Sequence, residues 1–209
     1  MKINTRSITL AATLAALCAV TGFLPYVFFL PVVVAAATVS VGMVAFVGLA
    51  FGCISLAYSF VMPSSLVSLA FINAPYIAIL PRILAALGSF GIYTLLTRLV
   101  KPQRNGSRFA VISASAAGGS LLNTALVVAM LVLIMPNLEF GGITMIAYVP
   151  TMLVSGAIEC ACMAVLTPPV VLTLRKTVLK NKEKKAALRS SADTVGEANA
   201  APTVDGGNE

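Results

Sequence analysis

The sequence predicts an all-α integral membrane protein with six transmembrane helices and both termini in the cytoplasm. Three observations carry that expectation. Of 209 residues, 59% are hydrophobic and 10% charged, mean hydropathy is +0.98, and Trp and His are absent, which is too apolar for a soluble domain with a polar shell. Between Ser7 and Leu174 the charged residues are only Arg82, Arg98, Lys101, Arg104, Arg108, Glu139 and Glu159. Helix-breaking residues then cut this apolar region into pieces suited to a hydrocarbon core of about 30 Å.

The first span runs from Ser7 to Phe23 and stops at Gly22 and Pro25. Lys2 and Arg6 ahead of it, with Ala35-Ala36-Ala37 beyond, also have the form of a signal peptide, but more membrane sequence follows, so the segment is expected to be retained. A second, short or tilted span covers Phe28 to Ser40, with Pro31 in its first turn, where proline is tolerated. The third follows Gly42 closely and ends before Pro63-Ser64-Ser65. A polar-leaning loop continues through Asn73, and Pro75 opens the fourth span, to Leu99. After the basic break Lys101 to Arg108, the fifth runs from Phe109 to Met135. Pro136-Asn137 and Gly141-Gly142 precede the sixth, which reaches Thr173. Residues 1–176 thus form the membrane domain. Residues 177–209 form a basic tail that is expected to lose order after a short helical extension, because few large apolar groups offset the entropy of ordering it.

All of the 14 Lys and Arg residues except Arg82 lie at the N-terminus, in the break between spans four and five, or after span six. Positive residues collect on the cytoplasmic side, and these three places share one side when four and then two spans separate them. The loops after spans one, three and five then face outward, and Glu139 is the only charged residue in them.

Composition also excludes several classes. The net charge of +7 sits at the ends of apolar segments rather than along a stripe interleaved with aromatics, so no nucleic-acid partner is expected. Lys180, Lys182, Lys184 and Lys185 serve as a stop-transfer anchor at the surface of the lipid bilayer, where anionic lipid attracts such charges. Cys160-x-Cys162 lacks the spacer and His partners of a metal site, and Cys18, Cys53, Cys160 and Cys162 read as small buried side chains. Gly118-Gly119-Ser120 lacks the Lys of a phosphate loop. No metal, cofactor or catalytic residue is expected, and ATP-driven work would fall to another chain.

Arg82 and Glu159 are the costly residues. An ionised side chain at a helix centre in hydrocarbon costs about 2.5–3.5 kcal/mol on the insertion scale, and such residues usually face a bundle interior or mark a ligand path. At about 1.5 Å per residue, Asn123 lies about 21 Å above the cytoplasmic face, Glu159 at a similar height, and Arg82 about 24 Å up. All three therefore fall in one layer near the outer surface. Either Arg82 and Glu159 neutralise each other and pin the helices, or the layer also lines a ligand site that Asn73, Asn137 and Glu139 close from outside. A proton path is less suited to a chain without His.

On span one, Ala12, Ala15, Ala16 and Ala19 recur at three- and four-residue spacing, and Ala11 extends the series. Such small-residue faces let another helix approach closely. The companion is either a neighbouring span or a partner subunit. Gly42, Gly48, Gly52, Gly88 and Gly91 suggest further close contacts.

The order of these motifs resembles the substrate-binding S component of energy-coupling factor (ECF) vitamin importers. The likeness lies in the alanine face, the Pro31 to Gly42 to Phe51-Gly52-x-x-Ser55 pattern, Leu80-Pro81-Arg82-Ile83-Leu84, and Gly119-Ser120-Leu121-Leu122-Asn123-Thr124. It continues in Gly156-Ala157-Ile158-Glu159 through Leu166-Thr167-Pro168-Pro169-Val170-Val171, so that it covers residues 5 to 176. Pro-Arg, Leu-Asn-Thr and a final-helix Glu look most like the folate and pantothenate branch, although Ser155-Gly156 stands where those members often have Asn. The resemblance implies a prokaryotic plasma-membrane subunit that binds a small vitamin from outside and docks its alanine face on a membrane scaffold subunit carrying two ATPases. It also implies that the subunit rotates as a body to release the vitamin. Arg82 would hold the vitamin carboxylate, with Asn123, Asn73, Glu159, Tyr76 and Glu139 around it. Phe23, Tyr26, Phe28, Phe71, Tyr76 and Tyr148 would stack a pterin or serve as interfacial anchors. The competing classes are a membrane enzyme acting on a lipid-linked substrate, disfavoured by the lack of His and of paired carboxylates, and a membrane assembly factor.

Overall fold

The computed structural model describes residues 5–22, 26–63, 65–102 and 105–199. Their elements are α1 (Thr5–Thr21), α2 (Leu30–Thr38), α3 (Val41–Val61), α4 (Leu66–Asn73), α5 (Pro75–Val100), α6 (Asn105–Ile134), β1 (Glu139–Phe140), β2 (Ile143–Thr144) and α7 (Met145–Asn199). Val41–Val61, Pro75–Val100, Gly106–Ile134 and Met145–Leu174 are long and apolar enough to cross a membrane, and Ile8–Thr21 is a shorter apolar stretch. The described residues are almost entirely helical, and four such helices are what a multi-pass membrane protein requires. It divides between Val171 and Leu172 into two compact units, and the candidate site lies wholly in the first.

Close approaches set the helix directions. A Cβ at Gly48 of α3 would sit 2.7 Å from Ala86 Cβ of α5, and one at Gly52 would sit 2.9 Å from Ile79 Cα. Only glycine admits backbones this near, which is how membrane helices pack where lipid removes the hydrophobic drive. The partner numbers fall along α5 as they rise along α3, so the two helices are antiparallel. Gly88 against Leu122 and Gly119 against Ser89 make α5 and α6 antiparallel as well. Ser113 Oγ donating to the Ala164 carbonyl at 2.6 Å, together with Thr124 beside Gly156, does the same for α6 and α7. α1 packs along α3 in parallel, because the Tyr58 hydroxyl near the end of α3 donates to the Ala19 carbonyl near the end of α1 at 2.8 Å. The start of α1, the end of α5 and the start of α6 thus share one end of the bundle, together with Arg98, Lys101 and Arg108. α4, the starts of α5 and α7 and the hairpin share the other end.

Three segments depart from expectation. The helix expected over Phe28–Ser40 is shorter: α2 has 9 residues, which rise about 14 Å, under half of a hydrocarbon core. Turn residues Tyr26 to Phe29 precede it, and the Phe28 and Phe29 rings pack on Phe51 at 4.5 and 5.6 Å, so α2 begins beside the middle of α3. Pro31 through Ala37 are all buried, as suits a helix apolar all round.

The loop expected before Asn73 is the helix α4. Ser65 caps it by accepting from the Ser68 amide at 3.1 Å, and Leu66, Ala70 and Phe71 bury against Ile77, Ala78, Val127, Leu131 and Met145. The serines that made this segment look like a loop serve its first turn. Two short strands also interrupt the all-α expectation. Glu139 pairs with Thr144 and Phe140 with Ile143, around Gly141 and Gly142 at φ +61° and +80°, which are the positive angles that a two-residue hairpin turn requires.

Lys2, Phe23, Pro25, Ser64 and Arg104, which figured in the sequence reading, lie outside the described residues.

Candidate functional site

A cavity of about 640 Å³ lies among Tyr26, α4, α5, α6 and α7, within the range typical of small-molecule sites. Val67 of α4, Arg82 of α5, and Asn123, Thr124 and Val127 of α6 form three walls, and α7 from Tyr148 to Glu159 forms the fourth. Tyr26 contributes from the irregular segment ahead of α2, with φ 68°, a left-handed conformation uncommon for a non-glycine residue. Irregular backbone at membrane depth is tolerated where it is buried in protein or lines a cavity.

Arg82 owes its place to the proline before it. Pro81 lies inside α5 and has no amide hydrogen, so the Ile77 carbonyl four residues earlier loses its helical donor. Arg82 returns along the helix toward its N-terminus, as long helical side chains do, and its Nη1 donates to that carbonyl at 3.4 Å. Phe71 of α4 lies under the guanidinium, 4.5 Å from ring centroid to Cζ, in a cation–π contact worth up to about 2 kcal/mol when desolvated. Two supports therefore hold the cation, while its Nε is buried with no hydrogen-bond partner.

Asn123 and Glu159 complete the polar end of the cavity. Arg82 and Asn123 are each only 8% exposed, and Asn123 Oδ1 is buried without a partner. Glu159 is half-buried on α7. Gly156 brings the two helices together here: a Cβ on it would lie 2.6 Å from Thr124 Cγ2. Among the described residues, no direct ion pair joins Arg82 to Glu159. Both residues instead line one cavity, and the unpartnered Arg82 Nε and Asn123 Oδ1 are buried against protein rather than open to it.

The residues singled out from the sequence separate into groups. Arg82, Asn123 and Glu159 line one cavity. Asn73, Tyr76 and Glu139 do not line it and are exposed, Glu139 on the hairpin. Among the aromatics, Tyr26 and Tyr148 line the cavity and Phe71 supports Arg82, whereas Phe28 packs on Phe51 and Tyr58. On α1, Ala12, Ala16 and Ala19 are exposed and Ala15 is half-buried. Ala11 is 1% exposed and faces inward with Leu14 and Cys18, so it does not belong to the outer alanine face. Cys53, expected to be buried, is exposed on α3.

Val67, Val127 and Met152 went unnoticed in the sequence, and Thr124 and Ser155 figured only in motifs and not as candidate site residues. Those on α7 had a signal: Tyr148, Met152, Ser155 and Glu159 recur at helical spacing, a stripe pointing one way with the Glu. Val67 had none, because α4 itself was read as a loop. Among the described residues no group of three or more His, Cys, Asp or Glu is placed to hold a metal ion. In comparison with known proteins, the sequence matches no protein-family model and no curated protein at a significant level.

Proposed function

We propose that this chain is the vitamin-binding S component of an ECF-type importer, a non-enzymatic subunit of a prokaryotic plasma membrane. It takes pantothenate, folate or a related carboxylate-bearing micronutrient from outside. The observation that carries this reading is the cavity itself. Two side chains more than nine-tenths buried, Arg82 and Asn123, line it beside Glu159, and a few polar groups converging on a largely apolar cavity are what a small-molecule site requires. Further support comes from the order of motifs along residues 5 to 176 and from the exposed face of Ala12, Ala16 and Ala19, where a scaffold subunit carrying two ATPases docks.

In this account α1, the segment containing α2, α3, α5, α6 and α7 make six crossings, with both termini cytoplasmic. Support for this orientation comes from the bundle end that gathers Arg98, Lys101 and Arg108, since cytoplasmic ends accumulate such charges. The cavity lies toward the opposite, outer end.

Thermal unfolding of the full chain in detergent against a panel of vitamins tests the proposal. The cognate vitamin at a hundredfold excess over its dissociation constant stabilises the folded state by about 2.7 kcal/mol. Folded protein that no vitamin stabilises overturns the reading.

A further inference from the structure

Exposure among the cavity's lining residues is confined to one side. The residues contributed by α4, α5 and α6 are buried or half-buried, whereas Tyr26 and, on α7, Pro150, Thr151, Val154, Ser155 and Ile158 line the cavity and are exposed. The cavity therefore has a mouth along α7. Pro150, Val154 and Ile158 recur at four-residue spacing and so share one edge of the helix, and Val154 is 62% and Ile158 44% exposed.

This mouth lies at the depth of hydrocarbon. The apolar segment Met145–Leu174 has 30 residues and rises about 45 Å, so a core of about 30 Å centred on it begins about 7 Å from either end. Val154 and Ile158 stand about 14 and 20 Å along the helix from Met145. Neither they nor Pro150 carry a side-chain hydrogen-bonding group, and a held water needs about 2–4 polar partners. The same edge continues past the cavity as an exposed stripe through Ala161 and Val165, without a break between the mouth and the surface that faces lipid. A further helix fits this edge less well than lipid does, because membrane helices approach one another over small residues, and Val154, Ile158 and Val165 are bulky.

We propose that the cavity opens sideways into the bilayer along α7, and that an acyl chain of a membrane lipid lies in this mouth against Val154 and Ile158 and closes the cavity where protein does not. The site is then part protein and part lipid. Arg82, Asn123 and Glu159 supply its polar end, and hydrocarbon supplies one wall. That a vitamin fills the cavity rests on the proposed function, whereas the lateral mouth rests on exposure and depth.

The chain contains no Trp, so a single introduced Trp reports its own surroundings. Ser155→Trp puts the reporter in the mouth, and Leu153→Trp puts it on an exposed part of α7 outside the cavity. The full-length variants are reconstituted without vitamin in phosphatidylcholine vesicles with brominated or unbrominated acyl chains, since bromine quenches Trp fluorescence only at close range. Brominated chains are expected to quench position 155 to an extent comparable with position 153, and aqueous iodide is expected to quench neither. Ile158→Trp, also exposed in the mouth, takes the place of Ser155→Trp should that variant not fold.

Quenching of position 155 by iodide overturns the inference and marks a water-filled mouth. Sparing of position 155 by both quenchers also overturns it and marks cover by protein, such as a second copy of this chain. The vitamin reading is judged separately. Quenching by brominated chains in protein that no vitamin stabilises keeps the lipid mouth and removes the vitamin, and a vitamin that stabilises protein spared by brominated chains does the reverse.

Discussion

The cavity and the outer face of α1 are opposites in construction. Four helices and an irregular segment converge on the cavity, which is concave and holds Arg82, Asn123 and Glu159. One helix makes the α1 face, which is exposed and built of methyl groups at Ala12, Ala16 and Ala19. Under the proposed function, recognition at the cavity depends on hydrogen bonds placed by packing, whereas recognition at the α1 face depends on how closely another backbone can approach. A substitution that changes polarity should therefore damage the first, and one that adds bulk should damage the second.

Substitutions can break that contrast, and the largest effect is expected at Arg82. Replacing it with Gln should weaken binding of the cognate vitamin by about a hundredfold or more, since losing one partner of a buried charge-assisted contact costs about 2–5 kcal/mol. A titration that finds unchanged affinity removes Arg82 from the site. Gly156→Val comes next. Overpacking against Thr124 costs about 1–3 kcal/mol, and the forced separation of α6 from α7 should lower both the melting temperature and ligand affinity. Loss of stability with full affinity would show that the cavity tolerates helix displacement. A smaller effect is expected for Phe71→Leu, which keeps most of the apolar packing but removes the aromatic face under the guanidinium. A loss of about 0.5–2 kcal/mol, up to roughly thirtyfold in affinity, follows from the cation–π range. Ala16→Trp should leave binding of the vitamin unchanged while abolishing co-purification with the scaffold and ATPase subunits. Loss of binding there would mean that the α1 face is coupled to the cavity.

The two regions were also unequally legible. Residue spacing alone exposed the alanine series, and Ala11 is buried within it because the 100° turn per residue carries it round to the side of Leu14 and Cys18. Charge in an apolar chain pointed to Arg82 and Glu159, and helix rise put them level with Asn123. What the sequence hid was context. The support of Arg82 by Phe71 needed α4, and α4 was masked by serines that read as loop residues but cap a helix. The bond from Arg82 to the Ile77 carbonyl follows from Pro81, whose effect is visible only once α5 is known to continue through it. Asn73 and Glu139 were placed near the cavity by loop membership and Tyr76 by its level near the outer side, which fixes the end of the bundle but not the direction of a side chain.

Cysteine protection in one protein background compares the two regions directly. With Cys18, Cys53, Cys160 and Cys162 replaced by Ala, the rate of alkylation by a membrane-permeant maleimide is measured for Ser155→Cys in the cavity wall and Ala16→Cys on the α1 face, with and without the stabilising vitamin. The account predicts that the vitamin protects position 155 and leaves position 16 reacting at its original rate. Equal rates at position 155 with and without vitamin would contradict it.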